Sequence, residues 1–99
     1  MAKFDVYGLR NGGGLVLDCQ ADLLDRLNTR LVVPLIPLDE APPPMARLNP
    51  VFEVEGQRMA MVTQFAASIF VGELGARVAS LADEQDAIVA ALDMLVSGF

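Results

Sequence analysis

Three groups of residues have types and spacing that could do chemistry. The first is Asp83, Glu84 and Asp86, carboxylates set close together. As metal ligands they would need further oxygen donors converging from other segments. As residues at a helix start they need only the positive end of the dipole, which carboxylates favour. The second is Asn11-Gly12-Gly13-Gly14. A phosphate loop calls for a following Lys-Ser/Thr pair and an opening helix; neither follows, so the glycines read as a turn. The third is the stripe Asp86, Ala90, Asp93 and Ser97, flanked by Val89 and Val96. It sets acidic and apolar groups side by side on one outer face. Asp93 falls near the end of the segment, where a helix dipole disfavours a carboxylate. An acid tolerated there points to a cationic partner. The chain has no histidine, so a general base near neutral pH, a Cys-His pair and a histidine-rich metal site are all unavailable. The lone cysteine, Cys19, shares a strand face with Leu15 and Leu17 and reads as a buried thiol.

The element that must carry the third group is a helix. Over residues 80–99, Ile88, Leu92, Leu95 and Phe99 recur at helical spacing, and Ala87, Ala91 and Met94 widen the stripe. A helix of ~16 residues is ~24 Å long, enough to lay one face over a small sheet. Gly98 can end it.

Upstream the chain reads as strands. Residues 3–7 alternate, with Phe4 and Val6 on one side and Asp5 on the other, and residues 15–20 return after the glycine hairpin. Residues 21–28 read as a turn with a short helical or extended piece, carrying Leu23 and Leu24 near the surface. Residues 31–36 are the most apolar run and predict a central strand, with an edge or bulge at Pro34 because proline lacks an N–H. Residues 38–49 hold Pro42-Pro43-Pro44, a stiff surface connector or a recognition loop. Residues 51–55 and 57–62 predict a second hairpin about Gly56, with Phe52 and Val54 on one face and Met59 and Met61, core fillers, on another. Residues 66–71 are a further strand, 73–75 interrupt, and 76–80 lead into the helix. Strands first and one helix last describe a β-rich α+β fold. About five to seven short strands suit a small, strongly bent sheet or open barrel.

A chain of 99 residues, 54% hydrophobic, is read as one domain over residues 1–99 with a core of its own. Net charge −6 with only 7 Lys and Arg disfavours capture of a nucleic-acid backbone. Protein partners or basic surfaces are the expected targets. No run approaches the about 18 apolar residues of a membrane span, and Lys3-Phe4-Asp5 does not open a signal peptide. The expected compartment is the cytoplasm.

Several stretches in order resemble the CcdB-type toxins of toxin–antitoxin modules. They are Phe4-Asp5-Val6-Tyr7, then Asp18-Cys19-Gln20-Ala21-Asp22-Leu23-Leu24-Asp25, then Arg30-Leu31-Val32-Val33-Pro34-Leu35 and Leu48-Asn49-Pro50-Val51. The last is a terminal helix closing in Gly98 and one apolar residue. The resemblance implies a small SH3-like barrel (a bent antiparallel sheet) with one long C-terminal helix, working as a homodimer without catalysis, cofactor or metal. It implies binding to the A subunit of DNA gyrase, trapping of the cleaved-DNA complex, and neutralisation by the flexible tail of a cognate antitoxin. Carried over by position, the gyrase-facing residues are Leu23, Leu24, Asp93, Gly98 and Phe99. Ser97 stands where the family commonly has tryptophan, and Asp93 where better-known members have asparagine. The alternatives are a homologue that binds antitoxin without poisoning gyrase, and a ribonuclease toxin of the MazF kind. The lack of histidine and the scarcity of Arg and Lys count against the ribonuclease.

Overall fold

The computed structural model describes residues 2–98. Its strands are β1 (Asp5–Leu9), β2 (Leu15–Asp18), β3 (Thr29–Pro37), β4 (Val51–Val54), β5 (Gln57–Met61), β6 (Ala67–Phe70) and β7 (Leu74–Ser80). One helix, α1 (Gln85–Ser97), follows them. The strands form one sheet in the order β4-β5-β3-β2-β1-β7, with β6 also pairing β3. Every pairing is antiparallel. The sheet curls into an open, SH3-like barrel, a β-rich α+β fold as the sequence predicts.

β3 is the pivot. Along one side it pairs β2; along the other it pairs β6 through residues 29–32 and β5 through residues 35–37. Pro34 falls where that second side changes partner. Its carbonyl accepts the Val62 N–H at 3.0 Å. A residue's N and C=O lie on the same side of an antiparallel strand, so the missing N–H points into the gap between β5 and β6. No ladder bond is lost there, and β3 stays central despite its proline.

Phe4, Val6, Leu17, Cys19, Val33, Leu35, Phe52, Val54, Met59 and Met61 build the main core, which Leu81, Ile88 and Ala91 complete. Phe52 lies directly opposite Met59. The two pairs expected on different faces therefore share one. The hairpin between β4 and β5 turns through Glu55 and Gly56, both at positive φ (51° and 79°), as a tight two-residue hairpin requires.

Three expectations shift. The first strand starts at Asp5, because Phe4 adopts φ 72° and breaks the extended run. Its N–H donates to the Asp18 carbonyl and its carbonyl accepts the Leu81 N–H, so the ring reaches the core. Residues 74–80, read as an interruption and a lead-in, are β7, paired with β1. Register shifts along that pair erase the alternation a sequence would show. Gly75 passes so close to β1 that a Cβ there would sit 2.8 Å from the Gly8 carbonyl oxygen. The helix expected from residue 80 begins at Gln85. Ser80 ends β7, and its Oγ accepts the Ala82 N–H at 3.2 Å, opening a 3-10 turn over Ala82–Glu84. The 13 residues of α1 span about 20 Å.

The opposite sheet face has a core of its own, Tyr7, Val16, Val32 and Leu74, with Leu9 and Ile69 against it. Asp18 and Arg30, both 0% exposed, form an ion pair on that face at 2.5 Å. Breaking such a pair from one side strands the other charge. Asp18→Ala should therefore destabilise the protein by about 3–5 kcal/mol, and adding Arg30→Met should recover much of the loss. Denaturant midpoints of wild type, single and double variants measure this; a double variant no better than the single would disprove it.

Burial, then the Asp18 carboxylate, push the Cys19 thiol from 9.0 up to about 12. The unfolded chain gives up that proton first. The stability tied to the protonated thiol is thus present below pH 9.0 and is lost as pH climbs toward about 12. Cys19→Ala should flatten alkaline stability over that window, read from melting temperature against pH. An unchanged alkaline slope would show that another group governs it.

Candidate functional site

Leu23 and Leu24 ride on a 3-10 turn over Asp22–Leu24. The turn closes through Leu24 N–H to the Ala21 carbonyl (2.9 Å) and Asp25 N–H to the Asp22 carbonyl (3.2 Å). The Asp22 carboxylate accepts the Lys3 N–H at 2.6 Å and ties the turn to the start of the chain. Leu23 is 91% exposed, and Leu24 and Leu27 are half exposed. Three large apolar side chains within five residues of chain are thus held at the surface.

The helix end is the second part. Burial fades along the apolar stripe, from Ile88 and Ala91, both fully buried, through Leu92 to Leu95, which is 42% exposed. Leu95, expected to face the core, is instead exposed, as are Val96 and Ser97 beside it. Asp86, Val89, Asp93 and Ser97 are exposed, and Val96 is 83% exposed. The acidic and apolar groups of the outer stripe do stand side by side. Gly98 ends the helix at φ 78°, its N–H donating to the Met94 carbonyl at 3.0 Å. No basic residue lies in the last turn. The negative dipole end and Asp93 therefore make the tip electronegative. Phe99 lies outside the described residues. No hydrogen bond among the described residues joins the helix end to the Leu23–Leu24 turn.

The remaining candidates resolve into structural roles. Asp83 and Glu84 sit in the 3-10 turn before α1 and Asp86 in its first turn. Among the described residues, no three metal-ligating side chains converge. Gly12 and Gly14 take positive φ in the first hairpin. The proline loop is exposed and lacks regular structure. The buried amide of Asn49 anchors its far end: Oδ1 accepts the Met45 N–H at 3.0 Å, and Nδ2 donates to the Met61 carbonyl at 3.0 Å.

A polar group missed from sequence lies on the far face of the sheet. Arg77 Nε is 3.2 Å from the buried Asp5 Oδ1. Burial, then the nearby Asp5 and Asp18 carboxylates, raise the Tyr7 phenol further, against the pull of Arg30 and Arg77. The phenol therefore stays protonated at neutral pH. A signal was available: Asp5, Tyr7 and Asp18 alternate with Val6 and Leu17, so they share a face opposite the core. Gln20, buried beneath the leucine turn, was also missed.

No ligand-sized cavity opens among the described residues, and no helix is long and apolar enough to cross a membrane. The groups available for recognition lie on the outer surface.

Comparison with known proteins bears on what such a surface is for. No curated protein matches the sequence. Among solved structures, the fold is similar to that of an endoribonuclease in complex with its cognate antitoxin from Mycobacterial species. The TM-score is 0.74 at 13% identity, covering 97% of this chain and 94% of that one. At that identity the likeness concerns the fold alone. The family model for the CcdB protein matches residues 3–98. That match spans the stretches on which the resemblance rests as far as Gly98, and the chain belongs to the CcdB protein family of toxin–antitoxin toxins.

Proposed function

We propose that the protein works by binding and not by catalysis, as a homodimeric toxin that engages the A subunit of DNA gyrase and traps its cleaved-DNA complex. A cognate antitoxin neutralises it. The observation that carries this reading is the helix tip. An exposed valine, Val96, stands beside exposed Asp93 at the negative end of a dipole with no basic residue to balance it. Such a surface suits a partner that offers cations and apolar groups together. The exposed Leu23 supplies a second apolar contact. The lack of histidine supports binding over acid–base chemistry.

An antitoxin tail with basic and apolar residues fits the same acidic chain, net charge −6, and the loop of residues 38–49, exposed over residues 42–47, gives it a place to lie. For the dimer, β3 offers less than its composition suggests. Val32, Val33 and Leu35 are buried within their own sheet, and Leu31 is the one large apolar side chain of that run left exposed. Phe65 and Phe70 add exposed aromatic area. A symmetric contact drawing on these groups should give a species of twice the chain mass in sedimentation at micromolar concentration. A monomer under those conditions would remove the dimer.

The tip is tested by its end residues. Deleting Ser97, Gly98 and Phe99 should leave melting nearly unchanged, because the exposed last turn of a helix frays readily and contributes little. The same deletion should abolish binding to a gyrase A fragment and growth inhibition. Ser97 offers no aromatic platform, so the native contact is weak. Ser97→Trp should strengthen it by about 0.5–2 kcal/mol where the ring stacks on a cation. Affinity and melting are measured together. Normal melting with wild-type affinity after the deletion would show that the tip is not the site. Antitoxin binding without any gyrase binding would identify a homologue that no longer poisons.

A further inference from the structure

The turn that displays Leu23 has little hydrophobic attachment to the rest of the molecule: every residue from 21 to 28 is exposed, and only Leu24 and Leu27 are half covered. Among the described residues, three hydrogen bonds hold it from outside. Lys3 N–H reaches the Asp22 carboxylate (2.6 Å), Val71 N–H reaches the Asn28 carbonyl (2.8 Å), and Gln20 Nε2 reaches the Leu24 carbonyl (2.9 Å). Only the last comes from a buried side chain. The other end of the same amide is also engaged, since Gln20 Oε1 accepts the Leu31 N–H at 2.9 Å. The Gln20 backbone N–H in turn donates to Asp18 Oδ1 at 3.1 Å, while Asp18 Oδ2 pairs with Arg30. A continuous polar path thus runs from the buried ion pair to the exposed leucine turn.

From this geometry we infer that Gln20 is a positioning residue of the recognition surface. It grips the Leu24 carbonyl and β3 at once, and so presents Leu23 in a fixed pose. A leucine on an unanchored loop must be ordered when a partner binds, and that ordering weakens the complex. Gln20 removes part of that cost beforehand, beside the bonds from Lys3 and Val71. The use made of the pose rests on the binding function proposed above; the clamp itself does not.

Two substitutions separate the ends of the amide. Gln20→Glu keeps an oxygen for the Leu31 N–H and loses the donor to Leu24. Gln20→Met loses both at similar length. Amide hydrogen exchange on the free protein reads each bond. Leu24, Asp25 and Leu27 should exchange faster in both variants, by about three- to tenfold for one lost hydrogen bond. Leu31 should stay protected in Gln20→Glu and lose protection in Gln20→Met. The hairpin of residues 51–61 should not change. Unaltered turn amides, or a uniform rise that includes the hairpin, would overturn the clamp. In the partner arm, Gln20→Glu should weaken binding to the gyrase A fragment by a similar factor. A loosened turn with undiminished binding would end the positioning role. If wild type does not bind the fragment, the named target falls, and the exchange pattern still decides the clamp.

Discussion

Arg30 carries a guanidinium into a place with no exposed surface, and Asp18 answers it from the neighbouring strand. Asp18 is met by Arg30 Nη2, and Arg30 Nε and Nη1 have no hydrogen-bond partner among the described residues. A buried pair of this kind adds little net stability over an apolar replacement, since desolvating both charges offsets their attraction. Its effect is on register. Asp18 lies opposite Val32, two residues from Arg30 on the same face of β3. Sliding β2 by one residue would turn Asp18 toward the main core and leave both charges unanswered. The cost of that error exceeds the gain of any single apolar contact, so the pair excludes it. The placement of Leu17, Cys19, Val33 and Leu35 in the main core then follows from the pleat.

The same strands serve two cores, and this explains the composition of β3. A strand with one wet face alternates apolar and polar residues; one buried on both faces reads as a continuous apolar run. Val33 and Leu35 face the helix side, while Val32 joins Tyr7, Val16 and Leu74 on the other. An apolar run that looks available to a second copy of the chain is therefore largely consumed within the sheet. What is left for partners comes from edges, turns and the helix end, where the main chain leaves the sheet.

The fold was legible where local chemistry and burial agree. Asn11-Gly12-Gly13-Gly14 and Gly56 name their hairpins because positive φ admits few other residues. Ile88 and Ala91 name the buried helix stripe because they recur at the helix's own period of about 3.6. Legibility failed where tertiary contact overrides local pattern. β7 was hidden because its register shifts against β1 break the period of two. The helix start was read too early because Ser80 to Glu84 carry no residue that forbids a helix, yet Ser80 ends a strand. In the candidate site, Leu23 and Leu24 were legible as exposed from their place among aspartates. Gln20 was not, since nothing in its type says that both ends of its amide are engaged across the sheet.

The two parts of the proposed recognition surface are held by different means. The leucine turn is fixed by hydrogen bonds from below, whereas the helix tip is fixed by backbone continuity with a buried turn at Ile88 and Ala91 and by the left-handed cap at Gly98. Neither relies on burying the apolar groups it displays. At the tip the unbound state carries an electrostatic penalty, because a carboxylate near a helix C-terminus is unfavourable by about 0.3–1 kcal/mol. No cation of the last turn relieves it. A partner cation beside Asp93 relieves that penalty only in the complex, so the term favours association directly. The wide ring that the family commonly sets at the position of Ser97 would add contact area to the same charge arrangement. In the proposed complex, serine there leaves Asp93 and the dipole end a larger share of the contact, and salt should weaken binding more steeply than it would at an aromatic tip.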